Sequence, residues 1–221
     1  MGFPYKKKKK KRNLSLKAWD SLCIPKALGG LGLRKMREVN LALVSKLGWK
    51  LLNRVDSMWV SQLHCKHLSS RSFLSLTSLS SSSWLWKGIQ KTIPFISKGA
   101  CNRIHSSSSL PIWSSTWIPS LPSFSPTPST QLTQPLPNIL VSDLFTTDQF
   151  QTGPVWNLPL LQHLFDYVTI REVLKTPFAN ASGEKHLWTP SPNGLFSTKS
   201  VHKLISSQRI SPDSGPLSTE N

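Results

Sequence analysis

Residues 19–49 read WDSLCIPKALGGLGLRKMREVNLALVSKLGW, and their order decides what the chain can build around them. Pro25 fixes its own φ, and Gly29, Gly30 and Gly32 follow closely, so a tight non-helical reversal is expected there. The reversal is neither a G-x-G-x-x-G fingerprint nor a phosphate-binding P-loop, because no Gly-Lys-Ser/Thr follows it. Beyond it, Met36, Val39, Leu43, Val44, Leu47 and Leu51 recur at steps of three and four, which is one face of an α-helix. The spacing predicts a helix from Met36 to about Asn53, with Arg34, Lys35, Arg37, Lys46, Lys50 and Arg54 on its outer part. Asp56-Ser57 then offers a cap for a second short helix through Met58, Val60 and Leu63, and Trp49 and Trp59 are expected as core anchors.

Outward from this block the chain alternates pattern with punctuation. Residues 1–13 form a polybasic arm, expected to be disordered because like charges in a row repel one another. The helical unit covers 14–68, a Ser-rich linker 69–83, and a short helix plus a weak hairpin 84–118. In that third block Ser83 is a candidate cap for a helix ending before Pro94. Residues 102–105 and 111–113 would pair across the serines at 106–109. The prolines at 119, 122, 126, 128, 135 and 137 forbid a regular helix or central strand, which makes 119–138 a second linker. Residues 139–207 regain pattern. A short helix starts at Val141, Asn157 and Thr169 are candidate caps for two more, and Asn193-Gly194 suits a hairpin between 187–188 and 195–197. A last helix runs over Val201, Leu204 and Ile205, and 208–221 reads as a frayed tail. The expected class is mainly α with small β-hairpins (α+β), irregular and loop-rich, partly disordered.

The 221 residues carry a formal net charge of +17, with 38% hydrophobic and only 17% charged residues. That balance suits ordered islands separated by loops, and its sign suits a polyanion such as RNA or DNA, whose phosphates exchange counterions for Lys and Arg. The candidate phosphate contacts are Lys6, Lys7, Lys8, Lys9, Lys10, Lys11 and Arg12 in the arm, and Lys26, Arg34, Lys35 and Arg37 around the glycine reversal. The arm reads as a nuclear-localisation run, or alternatively as a solvated tail or the chance translation of an A-rich stretch at a truncated gene start, so the nucleus is the expected compartment and the cytoplasm otherwise. Cys23, Cys65 and Cys101 are too few and too far apart for a disulfide framework. No run approaches the roughly 18 apolar residues of a membrane span. Neither a membrane partner nor a small-molecule substrate is expected.

A family resemblance rests on many positions at fixed spacing: Trp19, Cys23, Pro25, Lys26, Gly29, Gly30, Leu31, Gly32, Leu33, Arg34, Asn40, Ala42, Leu43, Lys46, Leu47, Trp49, Leu51 and Leu52. Later blocks extend it: residues 84–89, Ile112-Trp113 with Trp117-Ile118-Pro119, residues 141–144, and 187–200. Together they resemble the segment after the reverse transcriptase core in plant LINE-type (non-LTR) retrotransposon polyproteins. The resemblance covers about residues 14–205. It implies a connector leading from the polymerase toward a zinc-binding domain, whose Cys and His ligands are missing here. Two departures stand out: serines at 106–109 where the family has a Gly-rich turn, and Ser115 where it has Asp.

The family's reactions need carboxylates that this chain does not carry together. Two-metal nucleotidyl transfer and ribonuclease H chemistry both converge several acids on two ions. Here Asp20, Glu38, Asp56, Asp143, Asp148, Asp166, Glu172, Glu184, Asp213 and Glu220 are scattered, and neither Tyr5 nor Tyr167 precedes an Asp pair. His64-Cys65-Lys66-His67 lacks a second ligand pair at zinc-finger spacing, and no G-x-S-x-G elbow occurs. The expected function is therefore that of a non-catalytic retrotransposon fragment, without cofactor or metal, binding RNA or DNA weakly and without sequence preference. The alternative is a structural spacer or a degenerate relic.

Overall fold

A computed structural model describes residues 17–69, 71–76, 82–105, 108–129, 138–146, 155–178 and 185–208. The arm at 1–13, residues 70 and 77–81 of the Ser-rich linker, residues 130–137 of the Pro-rich linker and the tail after 208 lie outside the described residues. The chain divides into two units, Met1–Val39 and Asn40–Asn221. The architecture is mixed α+β: short helices, small antiparallel strand pairs and long irregular connections.

In the first unit, helix α1 (Trp19–Leu22) is a single turn opened by Ala18 without a side-chain cap. The chain then doubles back on it. The Leu22 carbonyl accepts from the Leu31 and Leu33 amides at 3.0 and 3.5 Å, and the Ile24 carbonyl accepts from Gly32 at 2.9 Å. Gly29 and Gly32 sit at φ 82° and 67°, the left-handed region that side chains disfavour. Gly30 answers a different demand. A Cβ there would lie 2.0 Å from the Ile24 carbonyl oxygen, so only a bare Cα lets the two arms of the reversal close. Cys23 is buried beneath it, and Asp20 pairs with Lys35.

Gly30→Ala is therefore expected to prise the reversal open and to remove hydrogen-exchange protection from the Leu31 and Gly32 amides. Gly29→Asn should leave that protection nearly intact, since nothing lies within 4 Å of its added Cβ and Asn tolerates positive φ. Equal protection in the two variants would refute this account of Gly30.

Helix α2 (Met36–Leu52) starts in the first unit; in the second, a first core gathers around its part from Asn40 onward, where Ala42, Trp49, Leu51 and Leu52 are buried. Gly48 lets α2 approach closely: a Cβ there would meet Ile96 Cδ1 at 2.6 Å and Thr92 Oγ1 at 2.8 Å. Helix α3 (Met58–Leu63) follows Ser57 in extended backbone, but Ser57 makes no side-chain cap bond. One π-type turn over His64–Leu68 ends it. Helix α4 (Trp84–Gln90) is capped by Ser83, whose hydroxyl accepts from the Trp86 amide at 3.4 Å. Helix α4 ends at Gln90, before Pro94. The Thr92 hydroxyl donates to the Ile89 carbonyl at 2.6 Å and closes α4. Pro94 stands in the first turn of a separate helix, α5 (Ile93–Ser97), where its missing N–H costs nothing.

Strand β1 (Ala100–Asn102) corrects the expected hairpin between 102–105 and 111–113. Its antiparallel partner is the distant segment His186–Trp188, in register Ala100↔Trp188 and Asn102↔His186. Pro111 instead bridges Leu140, with Ile112 buried in a second core. That core holds Ile104, Ile112, Trp117, Ile118, Val141, Leu144, Leu161, Leu164, Phe165 and Val173. A 3₁₀ turn over Val141–Leu144 leads into β2 (Phe145–Thr146), which pairs antiparallel with β3 (Val155–Trp156). Helix α6 (Leu158–Leu164) is capped by Asn157, which accepts from Leu160 at 3.2 Å. Helix α7 (Tyr167–Lys175) is capped by Asp166 and not by Thr169. Asp166 stands in extended backbone just before the helix, whereas Thr169 is buried and its hydroxyl accepts from the Thr127 amide at 3.2 Å. Residues 119–129 are irregular yet fastened: the Phe124 carbonyl accepts from Trp117 and Ile118 at 2.7 and 2.9 Å, and Pro128 bridges Phe165.

The segment His186–Trp188 is strand β4, and the expected hairpin after it shortens to a turn. Gly194, at φ 69°, accepts from the Trp188 amide at 2.9 Å, but residues 195–197 form no return strand. Ser197 accepts from the Ser200 amide at 3.1 Å and starts α8 (Thr198–Gln208), which returns Val201 and Ile205 to the first core.

Candidate nucleic-acid interface

The predicted phosphate contacts that lie within the described residues all hang from the glycine reversal or the start of α2. Lys26 opens the 3₁₀ turn Lys26–Leu28 and is exposed. Arg34 precedes α2 and Arg37 lies in its first turn, both exposed. Lys35 is different: its side chain is only 24% exposed and its ammonium pairs with Asp20. That pairing ties the helix start back to α1 and leaves Lys26, Arg34 and Arg37 as the outward-facing cations of the set. Lys6, Lys7, Lys8, Lys9, Lys10, Lys11 and Arg12 lie outside the described residues.

The described acids are largely occupied in holding the fold. Asp143 accepts from the Leu140 amide at 2.9 Å, and Asp166 caps α7 at 3.0 Å. Glu172 binds Lys175 and Arg171 at 3.0 Å each, and the Lys175 hydrogen bond, followed by the one from Arg171, holds its carboxyl below the usual range against the opposing effect of burial. Arg103, a cation the sequence leaves unassigned, is half-buried and donates to the His186 carbonyl at 3.5 Å.

The His64–Leu68 turn works as packing. The His67 ring stacks on Trp86 with centroids 4.2 Å apart and planes 12° off parallel. Desolvation first, then Lys66, lowers the His67 pKa; desolvation and Arg54 lower that of His64. Both shifts favour the neutral imidazole. Burial pushes the Cys101 thiol up to about 12, far from a nucleophilic thiolate. Among the described residues no three of His, Cys, Asp and Glu gather as metal ligands, and no helix is long and apolar enough to cross a membrane.

Most tryptophans of the motif blocks also serve the cores. Trp49 meets Trp188 edge-on at 5.4 Å and stacks on Phe196 at 5.0 Å, and Trp117 lies 6.3 Å from Phe165. Trp19 and Trp84 are the exceptions, with 55% and 84% of their surface exposed.

No family model matches the chain, and no solved structure matches it. Over 57 residues, 26% of this chain, it is 42% identical to the "Putative ribonuclease H protein" of Arabidopsis thaliana, of which it spans 9%. Over 109 residues, 49% of this chain, it is 26% identical to an uncharacterized mitochondrial protein of the same plant, of which it spans 71%. The two similarities give the chain a loose retroelement link.

Proposed function

We propose that the chain is the non-catalytic connector after the polymerase core of a plant LINE-type retrotransposon polyprotein, and that it holds RNA or DNA through phosphate contacts without reading sequence. The observation that carries the reading is the arrangement around the glycine reversal: Lys26, Arg34 and Arg37 face outward while Asp20 is engaged by Lys35. With +17 over the whole chain, an unspecific polyanion is the partner that fits this surface. Arg34 and Arg37 suit phosphate better than Lys would, since a guanidinium offers paired donors to two oxygens. The scatter of the acids supports the non-catalytic half of the proposal, because two-metal chemistry needs them side by side.

The test is a salt series of gel shifts on mixed-sequence single- and double-stranded oligonucleotides. Affinity should fall log-linearly with salt. Replacing Lys26, Arg34 and Arg37 by Gln should flatten the slope by about 0.7–0.9 for each cation that binds a phosphate. Lys35→Gln should flatten it less, because its charge is already matched by Asp20. No binding at low salt would leave the chain a structural spacer or relic. A slope unchanged by the triple replacement would remove this surface from the reading.

A further inference from the structure

In the second unit an open groove of about 400 Å³ lies between three helices, lined by Leu47 of α2, Trp59, Gln62 and Leu63 of α3, and Leu85 and Ile89 of α4. Gln62 and the indole N–H of Trp59 are the polar side-chain groups among these residues. Large apolar residues continue outward from it: Leu43 stands one turn before Leu47, Met58 one turn before Gln62, and Trp84 next to Leu85. These three are 57%, 79% and 84% exposed. Along the lining segments themselves the charges have one sign. Lys46 and Lys50 follow Leu43 and Leu47 by three residues on α2 and so share their face, and the exposed Lys66 lies in the turn that follows α3. From Asn40 to Leu52, over Met58–Leu63 and His64–Leu68, and over Trp84–Gln90, no Asp or Glu occurs.

We propose that this groove docks an acidic amphipathic helix from another polypeptide. Three helices converging on an aliphatic trough offer the helix-in-groove geometry, in which apolar residues at i, i+3, i+4 and i+7 enter and the flanks carry charge. Lysines on the rim select acidic flanks and repel basic ones. A second copy of this chain, itself at +17, brings like charge to the rim. A nucleic acid would place polar bases against Leu47, Leu63, Leu85 and Ile89, which offer them no hydrogen bond. The groove shares no residue with Lys26, Arg34 and Arg37, so the inference stands or falls independently of nucleic-acid binding.

The test uses the full chain and a fluorescein-labelled synthetic peptide, helical, with Leu on one face and Glu on the other; a companion peptide carries Lys in place of Glu. Anisotropy should report saturable binding of the Glu peptide, with the Lys peptide at least about tenfold weaker. Leu85→Glu should abolish binding. Lys66→Glu, on an exposed side chain that leaves the core untouched, should weaken it about tenfold, and urea midpoints of both variants would confirm that they fold. Equal affinity for the two peptides overturns the proposal. So does displacement of the peptide by a single-stranded oligonucleotide, or a self-dimer that Leu85→Glu disrupts in sedimentation.

Discussion

Trp188→Ala is expected to destabilise the second unit by about 3–5 kcal/mol, the usual cost of deleting a buried aromatic ring. Trp188 is fully buried on β4, where its ring lies 5.4 Å from Trp49 and 5.0 Å from Phe196. Its indole N–H donates to the Ser200 hydroxyl at 2.7 Å, which ties β4 to the first turn of α8. A Gly99 Cβ would already stand 2.7 Å from the same ring, so the site is closely packed on the β1 side as well. Set against a typical folding stability of about 5–15 kcal/mol, the loss removes much of the margin. Trp188→Phe keeps a ring and forfeits the hydrogen bond, so about 1–2 kcal/mol is expected. Trp84→Ala, on an exposed side chain, should change stability by less than about 0.5 kcal/mol. Urea unfolding followed by far-ultraviolet circular dichroism measures all three, and equal losses at Trp188 and Trp84 would contradict this packing.

Mild acid should weaken the same region through His186. Its imidazole is pushed from 6.5 down to about 4, first by burial and then by the positive charge of Lys185. The ring lies edge-on to Trp49 at 6.3 Å, with Nδ1 3.2 Å from the Asn53 Oδ1. That oxygen also accepts from the His186 backbone amide at 3.0 Å, while the Asn53 amide donates to the Trp49 carbonyl at 3.1 Å. With Oδ1 accepting, Nδ1 carries the proton of the neutral ring, and a second proton on Nε2 creates a charge that burial penalises. The unfolded chain takes that proton at its ordinary pKa and the folded one does not. The stabilising difference is thus fully present above about pH 6.5 and shrinks as pH falls toward about 4, where the folded form titrates too. The slope approaches about 1.4 kcal/mol per pH unit inside that window. His186→Phe should keep the ring packed against Trp49 and flatten the dependence between those limits. An unchanged pH profile in that variant would exclude His186 as the titrating group.

The candidate interface was legible to the extent that charge and spacing are local. Lys26, Arg34 and Arg37 are exposed because they flank a glycine reversal and the open start of a helix, both visible as residue types in order. That Lys35 is held by Asp20 was not legible, since it depends on how far the reversal brings α1 back toward α2's first residues. Nor was the apolar groove. A three-and-four spacing marks Leu43, Leu47 and Leu51 as one stripe, yet Leu51 is buried, Leu47 lines the groove and Leu43 is exposed.

What the sequence by itself determined are the features that close within about four residues. The 36–52 helix and the caps at Ser83 and Asn157 each rest on hydrogen bonds between near neighbours, so residue type and spacing suffice to place them. The tertiary structure alone decided the rest. The sequence paired residues 102–105 with 111–113 because they are adjacent, but β1 takes its partner from His186–Trp188 and Asn53 binds His186 across 133 positions. A strand only two or three residues long carries little specificity in its backbone hydrogen bonds. Its partner is chosen by which large side chain the pairing buries, and here that is Trp188 between Trp49 and Phe196, a burial that exists only once helices distant in sequence have met.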